Sequence, residues 1–425
     1  MKPPLRLAAS LALALAFDTQ ALAAPAPSDA AHWITSWYAA PQAGWGSDFP
    51  LPMNVPAFVD RQTLRETLKL SAGGRRIRLV FSNRYGQVPL RIGAVRVGPA
   101  EGTGPGAQLR FSGKTAVAVT PGGAVTSDPL TLAAAPLSKL AVRTYLPVRT
   151  PVTSFHWGAQ QTIAIAAGDA TAAADFAQAS RIEGRLFLSA VLVEAPAASH
   201  TVVTLGDSIT DGNGSTQDRD RRWPDFLARR LAPHGVAVAN AGISGARLLR
   251  DGMGQRALDR FAHDVLGQPG VSDVIVLLGI NDIGWPGSPF APKEAPVTFD
   301  ALAGGYRQLA AAAHARGVRV TAGTLPPFEG ALDGTPYAGH YSPAKEALRQ
   351  QLNAWIRTAG IFDAVADFDT RLRDPAHPRR LLPAFDAGDH LHPGDAGYEA
   401  MAAAIDIAPL LRAATPESAR RTRTE

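Results

Sequence analysis

Cysteine is absent from this chain of 425 residues. Disulfide bonds therefore cannot stabilise the protein, and its hydrophobic core has to be large enough to hold the fold without covalent cross-links. The body of the chain also lacks a run of lysine and arginine interleaved with aromatic residues, although the formal net charge is +5. Nucleic acid is consequently disfavoured as a partner.

Apolar runs of membrane-spanning length are missing as well, since about 20 consecutive apolar residues are needed. Residues 1–23 begin with positive charge at Lys2 and Arg6, continue as an apolar stretch and end in Ala-Leu-Ala. This order is typical of a secretory signal peptide. We therefore expect export to the periplasm or the medium, with no membrane span once the signal peptide is removed. An uncleaved amphipathic anchor is the alternative, and no cysteine is present to carry a lipid anchor.

Several motifs of common enzyme classes are also missing. The chain has no His-Glu-x-x-His metal motif and no complete Gly-x-x-x-x-Gly-Lys-Ser/Thr phosphate loop. Residues 242–246, Gly-Ile-Ser-Gly-Ala, lack the last glycine of a nucleophile elbow. Residues 211–215 begin like a calcium loop, but Arg222 stands where the loop needs a bidentate glutamate. We expect no metal and no cofactor, a metal on residues 389–392 being the minor alternative.

Short alternating runs dominate residues 33–194. Apolar and polar residues alternate with a period of two, and Gly, Pro and Asn clusters separate the runs. This pattern predicts an antiparallel β-sandwich domain. A short linker at 195–199, Ala-Pro-Ala-Ala-Ser, follows it. The clearest predicted strands are 67–71, 76–81, 90–97, 141–146 and 186–193.

Residues 200–412 change to strands that alternate with helices. This alternation predicts an α/β domain whose mostly parallel sheet is covered by helices on both faces. Ligands of such sheets bind at the carboxyl ends of the strands. The remaining residues, 413–425, form a polar tail that we expect to be disordered. The predicted strands are one that ends at Leu205, 236–238, 274–278 and 318–322, and the predicted helices are 223–231, 301–316 and 344–357.

Polar groups with catalytic potential follow the predicted strands. Ser208 comes directly after the strand that ends at Leu205, and Asp389 precedes His392 by three residues. A serine, a histidine and an aspartate act as nucleophile, base and orienting acid if the fold brings them together. His390 is the competing base.

Gly242 and Asn281 also follow predicted strands. Each of the polar positions has a purely structural alternative. Ser208 could cap a helix, Gly242 could serve a turn, and Asn281 could form an Asx turn.

Four blocks together resemble the SGNH (GDSL) hydrolase superfamily. They are Gly-Asp-Ser at 206–208, Asn-Ala-Gly at 240–242, Gly-Ile-Asn-Asp at 279–282 and Asp-His-Leu-His at 389–392. The sequence around the first and third blocks resembles that of the bacterial xylanase-cluster arylesterase and acylhydrolase subfamily. The resemblance covers about 201–404 and extends to the upstream module.

This resemblance implies a flavodoxin-like three-layer fold and a role for each matched position. Ser208 would be the nucleophile, His392 the general base and Asp389 the residue that orients it. The oxyanion would be held by the backbone N–H groups of Ser208 and Gly242 and by the side-chain amide of Asn281. A glycine admits close approach of the backbone to a substrate, and an amide donates at any pH.

The function expected from these features is that of an exported serine esterase. It would hydrolyse short-acyl esters, acetyl above all, of carbohydrates or aryl alcohols through an acyl-enzyme, so a small ester or an acetylated glycan is the expected substrate. Aromatic residues on the loops after the strands would either stack a ring of the substrate or anchor the loops. A polysaccharide-binding or adhesion protein with an inert hydrolase scaffold, and a lipase or lysophospholipase-type acylhydrolase, are the alternatives. These aromatic residues are Trp285, Phe290, Phe328, Tyr337 and Tyr341.

Overall fold

The computed structural model describes residues 32–412 with the exception of 103, 174, 175 and 177, and these residues belong to one compact unit. The predicted signal peptide and the predicted tail at 413–425 lie outside the described residues. Within the described part, no helix has the length and apolar character that crossing a membrane requires.

The N-terminal half is built of antiparallel strands. One sheet has the order β1-β17-β4-β10, with β9 also paired to β4, and a second has the order β15-β14-β3-β11-β6-β7. Short pairs β2–β12, β13–β16 and β5–β8 border them. The strands are β1 (Trp33–Tyr38), β2 (Phe58–Val59), β3 (Gln62–Lys69), β4 (Gly74–Ser82), β5 (Leu90–Ile92), β6 (Ala94–Pro99), β7 (Ala107–Gln108), β8 (Val117–Val119), β9 (Ala124–Thr126), β10 (Leu130–Ala134), β11 (Lys139–Leu146), β12 (Thr150–Pro151), β13 (Phe155–His156), β14 (Thr162–Ala167), β15 (Ser180–Glu183), β16 (Arg185–Leu186) and β17 (Leu188–Glu194).

Alternation of side chains explains the packing of these two sheets. Leu64 and Leu68 of β3 point to the same face, as do Ile77 and Leu79 of β4, because successive strand residues face opposite sides. All four side chains join one hydrophobic core that both sheets enclose. The predicted antiparallel sandwich is confirmed.

The C-terminal half contains a parallel sheet of order β19-β18-β20-β21-β22. The strands are β18 (His200–Gly206), β19 (Val236–Gly242), β20 (Val271–Leu277), β21 (Arg319–Gly323) and β22 (Ala364–Ala366), and the helices are α1 (Ser208–Asp211), α2 (Trp223–Leu231), α3 (Ala257–Phe261), α4 (Ile280–Gly284), α5 (Phe299–His314), α6 (Pro343–Thr358), α7 (Phe368–Leu372) and α8 (Asp395–Ala404). Short helical turns lie at Ala232–His234, Ala262–Leu266 and Pro409–Leu411.

Complete burial distinguishes β18, an inner strand of this sheet. Every residue of β18 is buried, as expected for a parallel strand covered on both faces. Side-chain caps start the two longest helices: the Thr298 hydroxyl accepts from the Ala301 N–H, and the Ser342 hydroxyl accepts from the Lys345 N–H. The predicted α/β fold with a parallel sheet is therefore confirmed.

The two halves are joined by hydrogen bonds as well as by packing. The Val238 N–H donates to the Ser71 hydroxyl at 2.9 Å, and the Thr35 N–H donates to the Thr201 hydroxyl at 3.1 Å. These buried bonds place β1 beside the parallel sheet. As a result, loops of the N-terminal half reach the carboxyl ends of the parallel strands.

Candidate active site

Ser208 lies where the buried strand β18 turns into α1. The Asp207 side chain caps this helix by accepting a hydrogen bond from the Ile209 N–H at 3.0 Å. Ser208 is the first residue of α1, so its backbone N–H has no acceptor within the helix. The turn therefore presents a hydroxyl at the carboxyl end of the sheet, together with a backbone donor that has no acceptor among the described residues.

A continuous hydrogen-bonded relay joins Ser208 to His392 and Asp389. The His392 Nε2 atom lies 2.8 Å from the Ser208 Oγ atom, and His392 Nδ1 lies 2.6 Å from Asp389 Oδ2. Asp389 Oδ1 accepts the backbone N–H groups of Leu391 at 3.0 Å and of His392 at 2.8 Å, which fixes the carboxylate. With Nδ1–H donated to Asp389, Nε2 presents its lone pair to the serine hydroxyl. The structure brings the three residues of the predicted triad together.

His390, the competing base, points elsewhere. Its Nδ1 atom lies 2.5 Å from Asp386 Oδ2, its side chain is exposed, and its backbone is left-handed with φ +59°. The left-handed turn directs adjacent side chains to different sides. His392 is consequently the histidine that faces Ser208.

The electrostatics of the relay stabilise the positively charged form of His392. Burial opposes protonation of the ring, but the negative charge of Asp389 and its hydrogen bond outweigh burial and raise the pKa of His392. Burial also acts to raise the pKa of Asp389, yet the charge and hydrogen bond of His392 hold that pKa well below its usual range. Asp389 therefore stays ionised and stabilises the imidazolium that forms when Ser208 loses its proton.

Asn281 supplies an amide beside the serine. It lies on α4 directly after β20, is buried, and borders the same cavity as Ser208. One hydrogen of its Nδ2 group is donated to the Ala246 carbonyl at 3.1 Å, which orients the amide. The second hydrogen is left for a ligand.

Gly242 is not brought to the cavity. Its N–H already donates to Asn240 Oδ1 at 2.9 Å, and a Cβ atom at this position would lie 2.4 Å from the Asp211 backbone nitrogen. The described cavity wall includes Gly245 instead, with φ +71°. Within the described part of the chain, the Gly245 N–H donates no hydrogen bond. Gly245, rather than the predicted Gly242, therefore offers the free backbone donor near Ser208.

The sequence pattern could not distinguish Gly242 from Gly245, because both glycines stand at the turn after β19. Gly242 is the last residue of the strand and packs against α1, whereas Gly245 follows three residues later. Both glycines stand in one short segment, and only the path of the turn determines which of them faces the cavity.

The cavity itself is open and has a volume of about 160 Å³. One wall is a stack of aromatic rings: Trp285 and Phe290 have centroids 5.1 Å apart, and Phe290 and Tyr337 have centroids 5.4 Å apart. Of the other predicted aromatic residues, Phe328 is fully buried and packs edge to face against Tyr341, with ring centroids 5.2 Å apart, and neither belongs to the described lining of the cavity.

Residues of the N-terminal half complete the wall. Leu51 and Trp157 also border the cavity, and Trp45 packs against Trp157 with ring centroids 6.2 Å apart. No local pattern in the sequence signalled these residues, because their loops belong to the sandwich. His340 is a further wall residue that the sequence did not signal.

Two buried carboxyl groups near the relay support loops. Asp282 accepts the N–H groups of Leu248 at 2.7 Å and Leu249 at 3.0 Å. Burial raises the pKa of Asp207 to about 7, and this residue caps α1. Within the described residues, no cluster of three or more His, Asp or Glu side chains has the arrangement of a metal site.

The fold and the relay define the class of protein. A serine, a histidine and an aspartate in hydrogen-bond contact at the carboxyl ends of a parallel sheet, with amide donors beside the serine, are the groups that acyl transfer requires. Residues 204–400 also match the model of the GDSL-like Lipase/Acylhydrolase family. This part of the chain is similar to that family, and the protein is a carboxylic ester hydrolase.

Solved structures with a similar fold cover about half of the chain. A GDSL-like lipase from Bacteroides thetaiotaomicron is 23% identical with a TM-score of 0.36, and the match covers 50% of this chain and 87% of that chain. An arginine-to-alanine mutant of an acetyl-xylooligosaccharide esterase from Geobacillus stearmophilus is 24% identical with a TM-score of 0.34, covering 48% and 91%. An acetyl xylan esterase is 19% identical with a TM-score of 0.36, covering 48% and 96%. None of the curated proteins compared with the chain matches it.

Proposed function

We propose that this protein is an exported serine esterase that hydrolyses short-acyl esters, acetyl above all, of carbohydrates or aryl alcohols through an acyl-enzyme. The observation that carries the proposal is the 2.8 Å contact between Ser208 Oγ and His392 Nε2 at the wall of an open cavity. Export is proposed from the signal-peptide pattern of residues 1–23.

In the first half of the proposed reaction, Ser208 Oγ attacks the ester carbonyl carbon while His392 Nε2 takes the hydroxyl proton. The carbonyl oxygen becomes an oxyanion. Asn281 Nδ2 and the free N–H groups of Ser208 and Gly245 are the donors available to it. When the carbon–oxygen bond to the alcohol breaks, His392 returns the proton to the leaving alcohol, and the acyl group remains on Ser208.

In the second half, water replaces the alcohol. His392 takes a proton from the water, the hydroxide attacks the acyl carbon, and the carboxylic acid leaves as Ser208 Oγ regains its proton. Asp389 keeps its negative charge throughout, since the pKa of this carboxyl lies well below its usual range beside His392.

The preference for a short acyl group is supported by the size and the lining of the cavity. A volume of about 160 Å³ has to accept the acyl group and part of the alcohol. The stack of Trp285, Phe290 and Tyr337 offers flat apolar faces suited to a sugar ring or an aryl group. A long acyl chain would need an extended groove in addition.

Hydrolysis of p-nitrophenyl acetate, butyrate and octanoate tests the proposal. The mature protein is compared with Ser208→Ala and with Ser138→Ala, whose exposed hydroxyl donates to the Ala135 carbonyl. We expect rates that fall with chain length, a loss of about ten-thousandfold or more in Ser208→Ala, and no change in Ser138→Ala.

Other results would contradict this proposal and favour one of the alternative functions. Faster cleavage of octanoate than of acetate would indicate a lipase-type acylhydrolase. An unchanged rate in Ser208→Ala, or no hydrolysis of any ester by either protein together with retention of a glycan, would indicate a binding protein.

A further inference from the structure

His340 is a buried polar side chain on the cavity wall that the proposed reaction does not use. Its side chain is 1% exposed, and neither ring nitrogen has a hydrogen-bond partner among the described residues. A buried polar group without a partner is destabilising. Such a group at the wall of a substrate cavity is suited to bind a group that arrives with the substrate.

Its neighbours hold the ring in this position. Phe328 packs edge to face against it, with ring centroids 6.2 Å apart. A Cβ atom at Gly284 would lie 2.2 Å from His340 Nε2, so only glycine leaves room for the imidazole there. Gly284 ends α4, the helix that carries Asn281. The ring is therefore packed against the same short helix that presents the Asn281 amide.

The imidazole is neutral at physiological pH. Burial lowers the pKa of His340 to about 3, and the nearby positive charges of Lys345 and His392 act in the same direction, against Asp389. Lys345 is held in place by its ammonium group, which donates to the carbonyls of Gly284 at 2.7 Å and Gly339 at 2.8 Å. A neutral ring offers one N–H donor and one lone-pair acceptor.

The hydrogen-bonding groups of the neutral imidazole indicate which kind of substrate group it binds. A hydroxyl group can accept from the N–H or donate to the lone pair, whichever tautomer is present. A short acyl group such as acetyl carries no hydroxyl, so the partner has to belong to the alcohol part of the substrate. A ring that stays neutral is too weak a base to replace His392.

We infer that His340 is a specificity residue that hydrogen-bonds a free hydroxyl of the alcohol moiety, so that the site prefers partly acetylated sugars to esters without a neighbouring hydroxyl. This inference rests on the proposed function. It names the substrate class of the same site as an ester of a polyhydroxylated alcohol that keeps at least one free hydroxyl.

Three substrates separate this role from a packing role. They are a monoacetylated methyl xyloside, the fully acetylated methyl xyloside, which has no free hydroxyl, and p-nitrophenyl acetate. In His340→Leu we expect kcat/KM for the monoacetylated sugar to fall by about tenfold to a hundredfold. The other two substrates change less than threefold. His340→Gln, which keeps a donor and an acceptor, recovers most of the loss.

Two controls test whether the His340 variants are correctly folded. Thermal unfolding of each variant is compared with that of the wild type, and His340→Met, with a flexible apolar side chain, repeats the test if the leucine variant does not fold. An equal loss on all three substrates, or no selective loss on the monoacetylated sugar, overturns the inference.

The failure of the inference is distinguishable from the failure of the proposed function. A wild-type protein that cleaves p-nitrophenyl acetate but neither sugar ester remains a serine esterase without this specificity. A wild-type protein that cleaves none of the three substrates contradicts the proposed function, and the inference falls with it.

Discussion

His156 Nε2 lies 2.9 Å from Asp211 Oδ1, and the two residues come from different halves of the chain. His156 Nδ1 also lies 2.8 Å from the Ala40 carbonyl oxygen, so both ring nitrogens face oxygen acceptors. The other carboxyl oxygen of Asp211 accepts the N–H of Ser244 at 3.1 Å and its hydroxyl at 2.6 Å. Since Ser244 borders the cavity beside Gly245, the sandwich is connected through buried hydrogen bonds to the segment that shapes the active site.

Breaking this connection is expected to reduce both stability and activity. His156→Phe leaves the buried Oδ1 atom of Asp211 without its hydrogen-bond donor, which lowers the free energy of unfolding by about 1–3 kcal/mol. We expect kcat to fall by at least about tenfold, because displacement of Ser244 and Gly245 moves a wall of the site. Urea unfolding and hydrolysis of p-nitrophenyl acetate measure the two effects.

An exposed pair of the same chemistry serves as the control. His314 Nε2 and Asp363 Oδ2 are 2.8 Å apart but largely exposed, so His314→Gln should change the free energy of unfolding by less than about 1 kcal/mol. Equal effects of the two substitutions would contradict a special role of the buried pair.

The pH dependence of hydrolysis follows from the pKa of His392, which the charge of Asp389 raises against the effect of burial. Only the neutral ring can accept the Ser208 proton, so kcat/KM should fall as the pH drops through a midpoint above the ordinary value of about 6.5. In Asp389→Asn the stabilising charge is gone. The midpoint should move to lower pH, and kcat should fall by about ten-thousandfold.

Asp386→Asn is the matched control, because Asp386 pairs with His390 rather than with His392. We expect it to retain the rate within about threefold and to lower the midpoint less than Asp389→Asn does, because the charge of Asp386 raises the pKa of His392 less than that of Asp389. A rate that stays flat down to pH 4, or a midpoint that is the same in Asp389→Asn, would exclude His392 as the base.

Loss of the Asn281 amide is expected to act on the transition state. Asn281→Ala should lower kcat by about a hundredfold to a thousandfold with little change in KM, because the amide stabilises an oxyanion that forms only during reaction. Steady-state kinetics with p-nitrophenyl acetate distinguish the two parameters. Asn281→Asp, which places a carboxylate beside the oxyanion, should be at least as inactive. A rise in KM without loss of kcat would assign Asn281 to substrate binding alone.

Asp207 is predicted to make the fold pH-sensitive. Burial raises its pKa to about 7 in the folded protein, so the stability it contributes is present below about pH 4 and is lost as the pH rises through about 7. Asp207→Asn keeps the acceptor for the Ile209 N–H and removes the buried charge. We expect the variant to exceed the wild type by about 2–4 kcal/mol in free energy of unfolding at pH 8 and to match it near pH 4.

Asp282→Asn is the comparison variant for Asp207→Asn. Both carboxyl oxygens of Asp282 accept backbone N–H groups, so an amide nitrogen would face a donor, and we expect destabilisation at both pH values. The second carboxyl oxygen of Asp207 has no partner among the described residues. If Asp207→Asn were less stable than the wild type at pH 8, the buried charge would have to be stabilised by its surroundings.

Local patterns in the sequence were sufficient for the architecture and for the Ser208, Asp389 and His392 relay. Alternation over β3 and β4 predicts half-buried strands because side chains of a strand alternate between two faces. The consecutive Val202 and Val203, followed by Leu205, predict that β18 is covered on both sides. Asp389 and His392 stand three residues apart, so a single turn places them in contact.

Tertiary structure alone decided which other side chains reach the relay. Gly245 rather than Gly242 faces the cavity because of the path of the turn after β19, and His340 reaches it because Gly284 leaves room for an imidazole. Trp157 and His156 come from the sandwich, far from Ser208 in the chain. Contacts of this kind depend on how two folded halves pack, and a sequence pattern describes only the faces of single elements. The sequence by itself therefore determined the fold class and the reactive groups, whereas the packing of the two halves determined the shape and the polar lining of the site.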